Sequence, residues 1–171
     1  IGDASIATRL LSSVDPADAA MLAAELEALN TERRKREADM FLEAEAAASA
    51  EAEKRSIVIV GSPRWHPGVI GIAAGRLKER LMKPTIVLGG VRDDEPAKGS
   101  GRSVTGINLG GAVAAAKTAG LLIAGGGHAM AAGLTIEWAN VEALKDFLEE
   151  KLSGECIAAE GMLEESVQPL Q

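Results

Sequence analysis

Gly125-Gly126-Gly127-His128-Ala129-Met130-Ala131-Ala132-Gly133, followed by Leu134-Thr135-Ile136, is the stretch on which the reading of this chain turns. Three consecutive glycines are costly inside a helix or strand, because each forfeits backbone entropy there. Their usual value is to let the backbone approach a ligand closely and to point several N–H groups at one spot. The run Ala129 to Ala132 is compatible with a turn of helix, whose positive end would face the same spot. Gly133 would end that turn, and Leu134-Thr135-Ile136 reads as a strand. So read, the segment is a phosphate-sized pocket with a titratable donor, His128, at its lip. The alternative is a tight strand-to-helix turn carrying a surface histidine, and a lone glycine-rich motif leaves both open.

Outward from that motif the pattern alternates between strand and helix. Ile57-Val58-Ile59-Val60 reads as a buried strand, Gly68 to Met82 as a helix and Pro84 to Leu88 as a second strand. Lys98 to Val104 is a third strand, turned by its glycines. Asn108 caps a helix running to about Ala119. After Leu134 to Ile136, Asn140 caps a last helix with Leu144, Phe147 and Leu148 on its inner face. Alternation of this kind predicts an α/β fold: a sheet flanked by helices, with strand ends and helix N-termini converging on a ligand site. Upstream, Pro16 to Glu53 reads as one long helix, or two in near continuity, with Asp15 as its N-cap and Pro16 just inside. Its stripe Leu22, Leu26, Leu29 fades into Arg33-Arg34-Lys35-Arg36, as in a helix that connects two bodies. Ser5 to Leu11 reads as the last helix of a preceding domain. Ser153 to Gln171 is acidic, with alternating apolar residues near Met162 and Val167, and reads as the first strand of a following one. The expected division is 1–14, 15–55 (connecting helix), 56–152 (α/β domain) and 153–171.

The 171 residues suffice for a sizeable core, and 47% are hydrophobic, mostly Ala, Leu, Ile and Val. The single cysteine, Cys156, precludes an intrachain disulfide and fits a reducing compartment such as the cytoplasm. No apolar run is long enough to span a membrane. Ile1 is not an initiator residue, so the chain reads as a piece of something longer. The net charge of −7 argues at first against a polyanionic partner. Its distribution reverses that argument. Residues 1–56 carry seven basic and twelve acidic residues (−5), residues 57–136 nine and four (+5), and residues 137–171 two and nine (−7). The glycine–histidine motif lies in the basic segment, and local potential is what steers a phosphate-bearing ligand.

Two further motifs share that segment. Arg64-Trp65-His66-Pro67-Gly68-Val69-Ile70-Gly71 follows the first strand and opens a helix, the place where such folds bind ligands. Trp65 either stacks on a base or wedges the loop into the core. His66 either donates to phosphate or caps the helix entry. Gly99-Ser100-Gly101-Arg102-Ser103 sets an arginine among hydroxyls and glycines, which can grip phosphate through a bidentate fork, or form an exposed turn. Asp93 and Asp94 have no histidine near them in sequence and read as a solvated acidic turn rather than metal ligands.

Together Ile57–Gly61, Trp65–Ala73, Gly99–Ser103 and Gly125–Gly133 resemble the second domain of the DHH phosphoesterases. The tryptophan–histidine helix opening, with Gly2-Asp3-Ala4-Ser5 and Leu29-Asn30-Thr31-Glu32-Arg33-Arg34, is similar to the RecJ branch of single-stranded-DNA exonucleases. The resemblance implies a bilobal enzyme. A separate DHH lobe holds two divalent metals, Mn²⁺ or Mg²⁺, on Asp and His ligands, and the domain seen here binds the phosphates of single-stranded DNA. Arg102 and His128 would then bind phosphate, helped by Ser100, Ser103 and the amides of Gly126 and Gly127, with Trp65 and His66 lining the strand's path. No metal is expected in this chain, and residues 153–171 would lead toward an OB-like domain. Two alternatives carry a similar domain: DHH-type phosphodiesterases of oligonucleotides or cyclic dinucleotides, and the tRNA-contacting domain of alanyl-tRNA synthetases.

Overall fold

Asp15 opens the long helix as its sequence predicts: its Oδ1 accepts from the Ala17 N–H at 3.0 Å, and Pro16 takes the first helical position. The computed structural model describes residues 4–166 except Val91 and Asp93, and side chains as far as Glu155. In chain order the elements are α1 (Ala4–Ser12), α2 (Pro16–Ala52), β1 (Val58–Ser62), α3 (Pro67–Leu81), β2 (Thr85–Gly89), β3 (Ala97–Arg102), α4 (Leu109–Thr118), β4 (Ala124–His128), β5 (Ala131–Ile136), a short 3₁₀ turn (Trp138–Asn140) and α5 (Val141–Ser166).

The chain divides into two bodies, residues 1–40 and 41–171. In the first, the basic run is held along its own helix: Arg33 pairs with Glu37 and Arg36 with Glu32, each one turn apart. Arg34, Lys35 and Arg36 are exposed, whereas Arg33 is half-buried and Glu37 is buried.

In the second body five strands form a mixed sheet in the order β1-β2-β3-β5-β4. Only β1 and β2 are parallel; the other pairs are antiparallel. One face carries the core, in which Ile57, Ile59, Ile86, Leu88, Leu134 and Ile136 meet Leu109 and Val113 of α4 and Leu144, Leu148 and Leu152 of α5. Helix α3 packs on the opposite face. Around the end of α2, Lys145 of α5 bridges Glu51 and Glu142, and the Arg55 guanidinium donates to Asp146. Burial works against the Lys145 charge, but these carboxylates outweigh it and hold its pKa above the usual value.

Three expectations fail. The glycine–histidine segment contains no helix; it is the β4–β5 hairpin, closed by Ala129 and Met130. A four-residue run cannot sustain a helix by its own propensity, whereas the hairpin tip finds tertiary partners. Ala129 O accepts from the Leu109 N–H and Met130 O from the Ser103 N–H. Nor do residues 153–166 form a strand. They continue α5, because a helix satisfies its backbone locally while a lone strand has no partner to pair with. Residues 167–171 lie outside the described residues. Asn140 does not cap α5 directly; it ends the 3₁₀ turn, and its side chain reaches Leu121 O.

Candidate functional site

Strand β3 has two unlike faces. Gly99 and Gly101 face the core, where a Cβ would lie 2.7 Å from Leu134 Cδ1 and 2.8 Å from Leu109 Cδ2 respectively. Lys98, Ser100 and Arg102 alternate with them and face the other way. Helix α3 comes down on that second face at Gly71, where a Cβ would lie 3.2 Å from Ser100 Oγ and 3.6 Å from Arg102 Nη2. Beside it opens a groove of about 510 Å³, whose lining includes Gly68, Gly71, Lys98, Ser100, Arg102 and Gly133. The first turn of α3 stands at one wall, so the positive end of the helix lies at the groove.

The cations of the groove are held by neutral partners. Arg102 Nη1 donates to Gly101 O at 2.8 Å and to Ser100 Oγ at 3.2 Å. Lys98 Nζ donates to Thr135 Oγ1 at 3.1 Å. Among the described residues neither is ion-paired, whereas Arg64, Arg80 and Arg92 pair with Glu43, Glu45 and Asp94. A cation fixed by neutral groups keeps its field for an incoming anion.

His128 lies outside the groove lining but on the same face of the sheet. Arg102 and His128 are both register partners of Ala131, from β3 and β4 on either side of it. Their backbones are therefore two strand spacings apart, about 10 Å. Gly126 and Gly127 pair with Gly133 and Ala132 on β5. In an antiparallel ladder successive pairs alternate, so one of these two amides turns toward β5 and the other toward the open edge.

Three of the sequence candidates are occupied by the fold. Trp65 is only 5% exposed, and its Nε1 donates to Glu43 Oε2 at 3.2 Å; it wedges the loop and offers no face for a base. Ser103 is 1% exposed, and its hydroxyl donates to Ile107 O at 2.9 Å, closing the turn before α4. His66 Nδ1 accepts from the Gly68 N–H at 2.9 Å and so caps α3, aligning the helix end that faces the groove. Lys98, by contrast, stands in the groove although the motifs do not single it out. The alternation Lys98-Gly99-Ser100-Gly101-Arg102 carries the signal, since a strand with that pattern turns three polar side chains to one face.

Residues 54–154 match the family profile of the DHHA1 domain. The chain belongs to the DHHA1 domain family. It is 37% identical over all 171 residues to the single-stranded-DNA-specific exonuclease RecJ of Bacillus subtilis, of which it covers 21%. Over 142 residues, 80% of the chain, it is 41% identical to the RecJ of Dickeya dadantii, covering 24% of that protein. The crystal structure of Thermus thermophilus RecJ in complex with Mg²⁺ matches with a TM-score of 0.77 at 32% identity, over 87% of this chain and 22% of that one. The structure of exonuclease RecJ bound to manganese matches with a TM-score of 0.78 at 32% identity, over 89% and 37%. This is a DHHA1 domain of the RecJ type, and it spans between a fifth and a quarter of the length of these curated relatives. Within it, among the described residues, no group of three or more His, Cys, Asp or Glu could hold a metal ion. The metals named for the relatives therefore have no counterpart ligand set among the described residues. Likewise, no described helix is long and apolar enough to cross a membrane.

Proposed function

We propose that this DHHA1 domain is the strand-binding part of a RecJ-type single-stranded-DNA exonuclease, whose phosphodiester hydrolysis is carried out by a metal-binding DHH lobe. The observation that carries the reading is the Lys98-Ser100-Arg102 face, two cations held by neutral groups beside the start of a helix, in a domain of RecJ type. Arg102 contributes a forked, charge-assisted contact to a backbone phosphate, Ser100 a hydroxyl, and the start of α3 the positive end of its dipole. His128 meets the strand further along the same face. Phosphate recognition of this kind is indifferent to base sequence.

The test is binding of this chain to oligothymidylate at low salt, with Arg102→Ala alongside. The substitution is expected to weaken binding by about 1.5–3 kcal/mol, the range for a hydrogen bond to a charged group, with stability changed by less than about 0.5 kcal/mol. The chain by itself is expected to leave the oligomer intact with Mn²⁺ or Mg²⁺. Unchanged affinity in Arg102→Ala would overturn the reading. Tighter binding of tRNA than of single-stranded DNA would transfer it to the tRNA-contacting relatives.

A further inference from the structure

The chain passes from α2 into β1 through residues 53–57, and residues far away in sequence pin this stretch from both sides. Lys83, in the turn between α3 and β2, donates through Nζ to Ala52 O at 2.8 Å and to Arg55 O at 3.1 Å. It thus sets a cation on the carbonyl end of the helix. Glu149 of α5 accepts from the Ser56 N–H at 3.0 Å and from the Ile57 N–H at 3.3 Å, an anion on the amides that lead into the strand. Between them Arg55 donates to Asp146, and Glu51 is shared by Arg55 at 3.5 Å and Lys145 at 3.2 Å. A flexible linker between domains carries few contacts of this kind; this stretch is a joint.

The last three turns of α2, which belong to the second body, also hold one wall of the groove. Glu43 accepts from Arg64 and from Trp65 Nε1 in the loop that leads into α3. Arg80 of α3 pairs with Glu45, and the Arg76 guanidinium lies over the Phe41 ring, 5.6 Å from its centroid. Helix α3 in turn meets Ser100 and Arg102 at Gly71. Resting on the reading of the groove as a phosphate site, we propose that this joint is a coupling device: its closure and strand binding at the groove favour one another through α3. With the joint closed, the end of α2 fixes α3 in its place beside β3. With the joint open, α3 loses Phe41, Glu43 and Glu45 and is free to shift against Ser100 and Arg102. A ligand that prefers the closed form stabilises it by the same factor that closure adds to the ligand's affinity. Since α2 is one unbroken helix, Pro16–Ala52, a pull on it reaches the groove by this route.

The experiment follows hydrogen exchange at single amides by NMR, for the chain alone and saturated with oligothymidylate, in the unaltered sequence, Glu149→Gln and Lys83→Met. Ser56 and Ile57 are expected to exchange by local opening, faster than Ile86 and Val87 of β2. Saturation should slow them at least about fivefold, the lower end of the usual range for coupled sites. Ala119 and Gly120, whose amides close the end of α4, should keep their rates. Each substitution should speed exchange at Ser56 and Ile57 about tenfold with β2 unchanged, as the loss of a charged partner implies. The oligomer should then slow the two amides by the same factor as before. Its affinity should stay within about twofold, because the closed joint still predominates. Three results would overturn the coupling and leave the Arg102 site standing: bound oligomer that does not slow Ser56 and Ile57, or slows Ala119 and Gly120 equally; joint amides that exchange no faster than β2; or unchanged rates in Glu149→Gln. If the unaltered chain binds no oligomer at low salt, the phosphate reading itself falls and the coupling with it.

Discussion

The two faces of β3 share one backbone, yet they are built for opposite purposes. On the core face, Gly99 and Gly101 are small because Leu134, Leu88 and Leu109 occupy the space a side chain would need. On the groove face, Lys98, Ser100 and Arg102 project past the edge of α3, and the neighbouring β5 and β4 positions Gly133 and Gly126 are small with nothing pressing on them. The difference teaches how to read a glycine. One that a neighbour forces belongs to packing; one that no neighbour forces points to something outside the chain. The motif Gly125-Gly126-Gly127 contains both kinds in adjacent positions, because successive residues of a strand face opposite sides.

The contrast can be attacked most strongly on its packed side. Gly110 of α4 abuts the hairpin so closely that a Cβ would lie 2.5 Å from His128 O and 2.8 Å from Gly127 C, both backbone atoms that cannot rotate away. Gly110→Ala removes a glycine from a helix, a change that on propensity alone stabilises by about 1 kcal/mol. Here it is expected to destabilise by about 3 kcal/mol and to lower the melting temperature by roughly 6–12 °C. Unchanged or increased stability in a denaturant titration would mean that α4 and the hairpin separate easily, and the distinction between the two kinds of glycine would collapse.

A smaller effect comes from Ser103, which shares a motif with Ser100 and Arg102 but is buried. Ser103→Ala removes the hydroxyl donor to Ile107 O, which keeps only the longer bond from the Leu109 N–H, and should cost about 1 kcal/mol of stability, with oligothymidylate affinity unchanged. Ser100→Ala should do the reverse. Loss of affinity without loss of stability in Ser103→Ala would return that residue to the groove.

The smallest expected effect sharpens the same line at Trp65. Trp65→Phe keeps a buried aromatic ring but loses the pyrrole half of the indole together with its Nε1 donor to Glu43. Because Glu43 is half exposed, the hydrogen-bond part of the loss should be about 1 kcal/mol, and Glu43→Gln, which leaves the packing intact, should cost no more than that. Strand affinity should not move in either variant. A severalfold weaker affinity at constant melting temperature would show the indole to be a stacking platform after all.

Much of the molecule is legible in the sequence. Asp15 and Asn108 announce helix starts because an Asx side chain before an apolar-periodic run satisfies orphan amides within three residues, and both are seen doing so. Ile57 to Val60, Thr85 to Leu88 and the polar–glycine alternation of β3 announce strands by composition and period. The concentration of positive charge between residues 57 and 136 points to the part of the chain that carries the groove. Residues 153–166 mislead, since their apolar alternation suits a strand only where a neighbouring strand is present, and their good helix formers prolong α5 instead.

What the sequence determined by itself, then, was whatever depends on contacts a few residues apart: the caps, the periods, the order of helices and strands, and the family motifs. The tertiary structure decided the rest. Whether Gly125–Gly133 became a helix entry or a hairpin was settled by α4 and by the turn at Ser103, which take up the carbonyls of Ala129 and Met130. Whether Trp65 met solvent or the interior was settled by Glu43, 22 residues away. Lys98, Ser100 and Arg102 became one wall of a groove because α3, from an earlier part of the chain, lands beside them. The physical reason is common to all three. A residue's backbone preference is a matter of about 1 kcal/mol or less. Satisfying a buried polar group or filling a cavity is worth more, and both require neighbours that only the folded chain supplies.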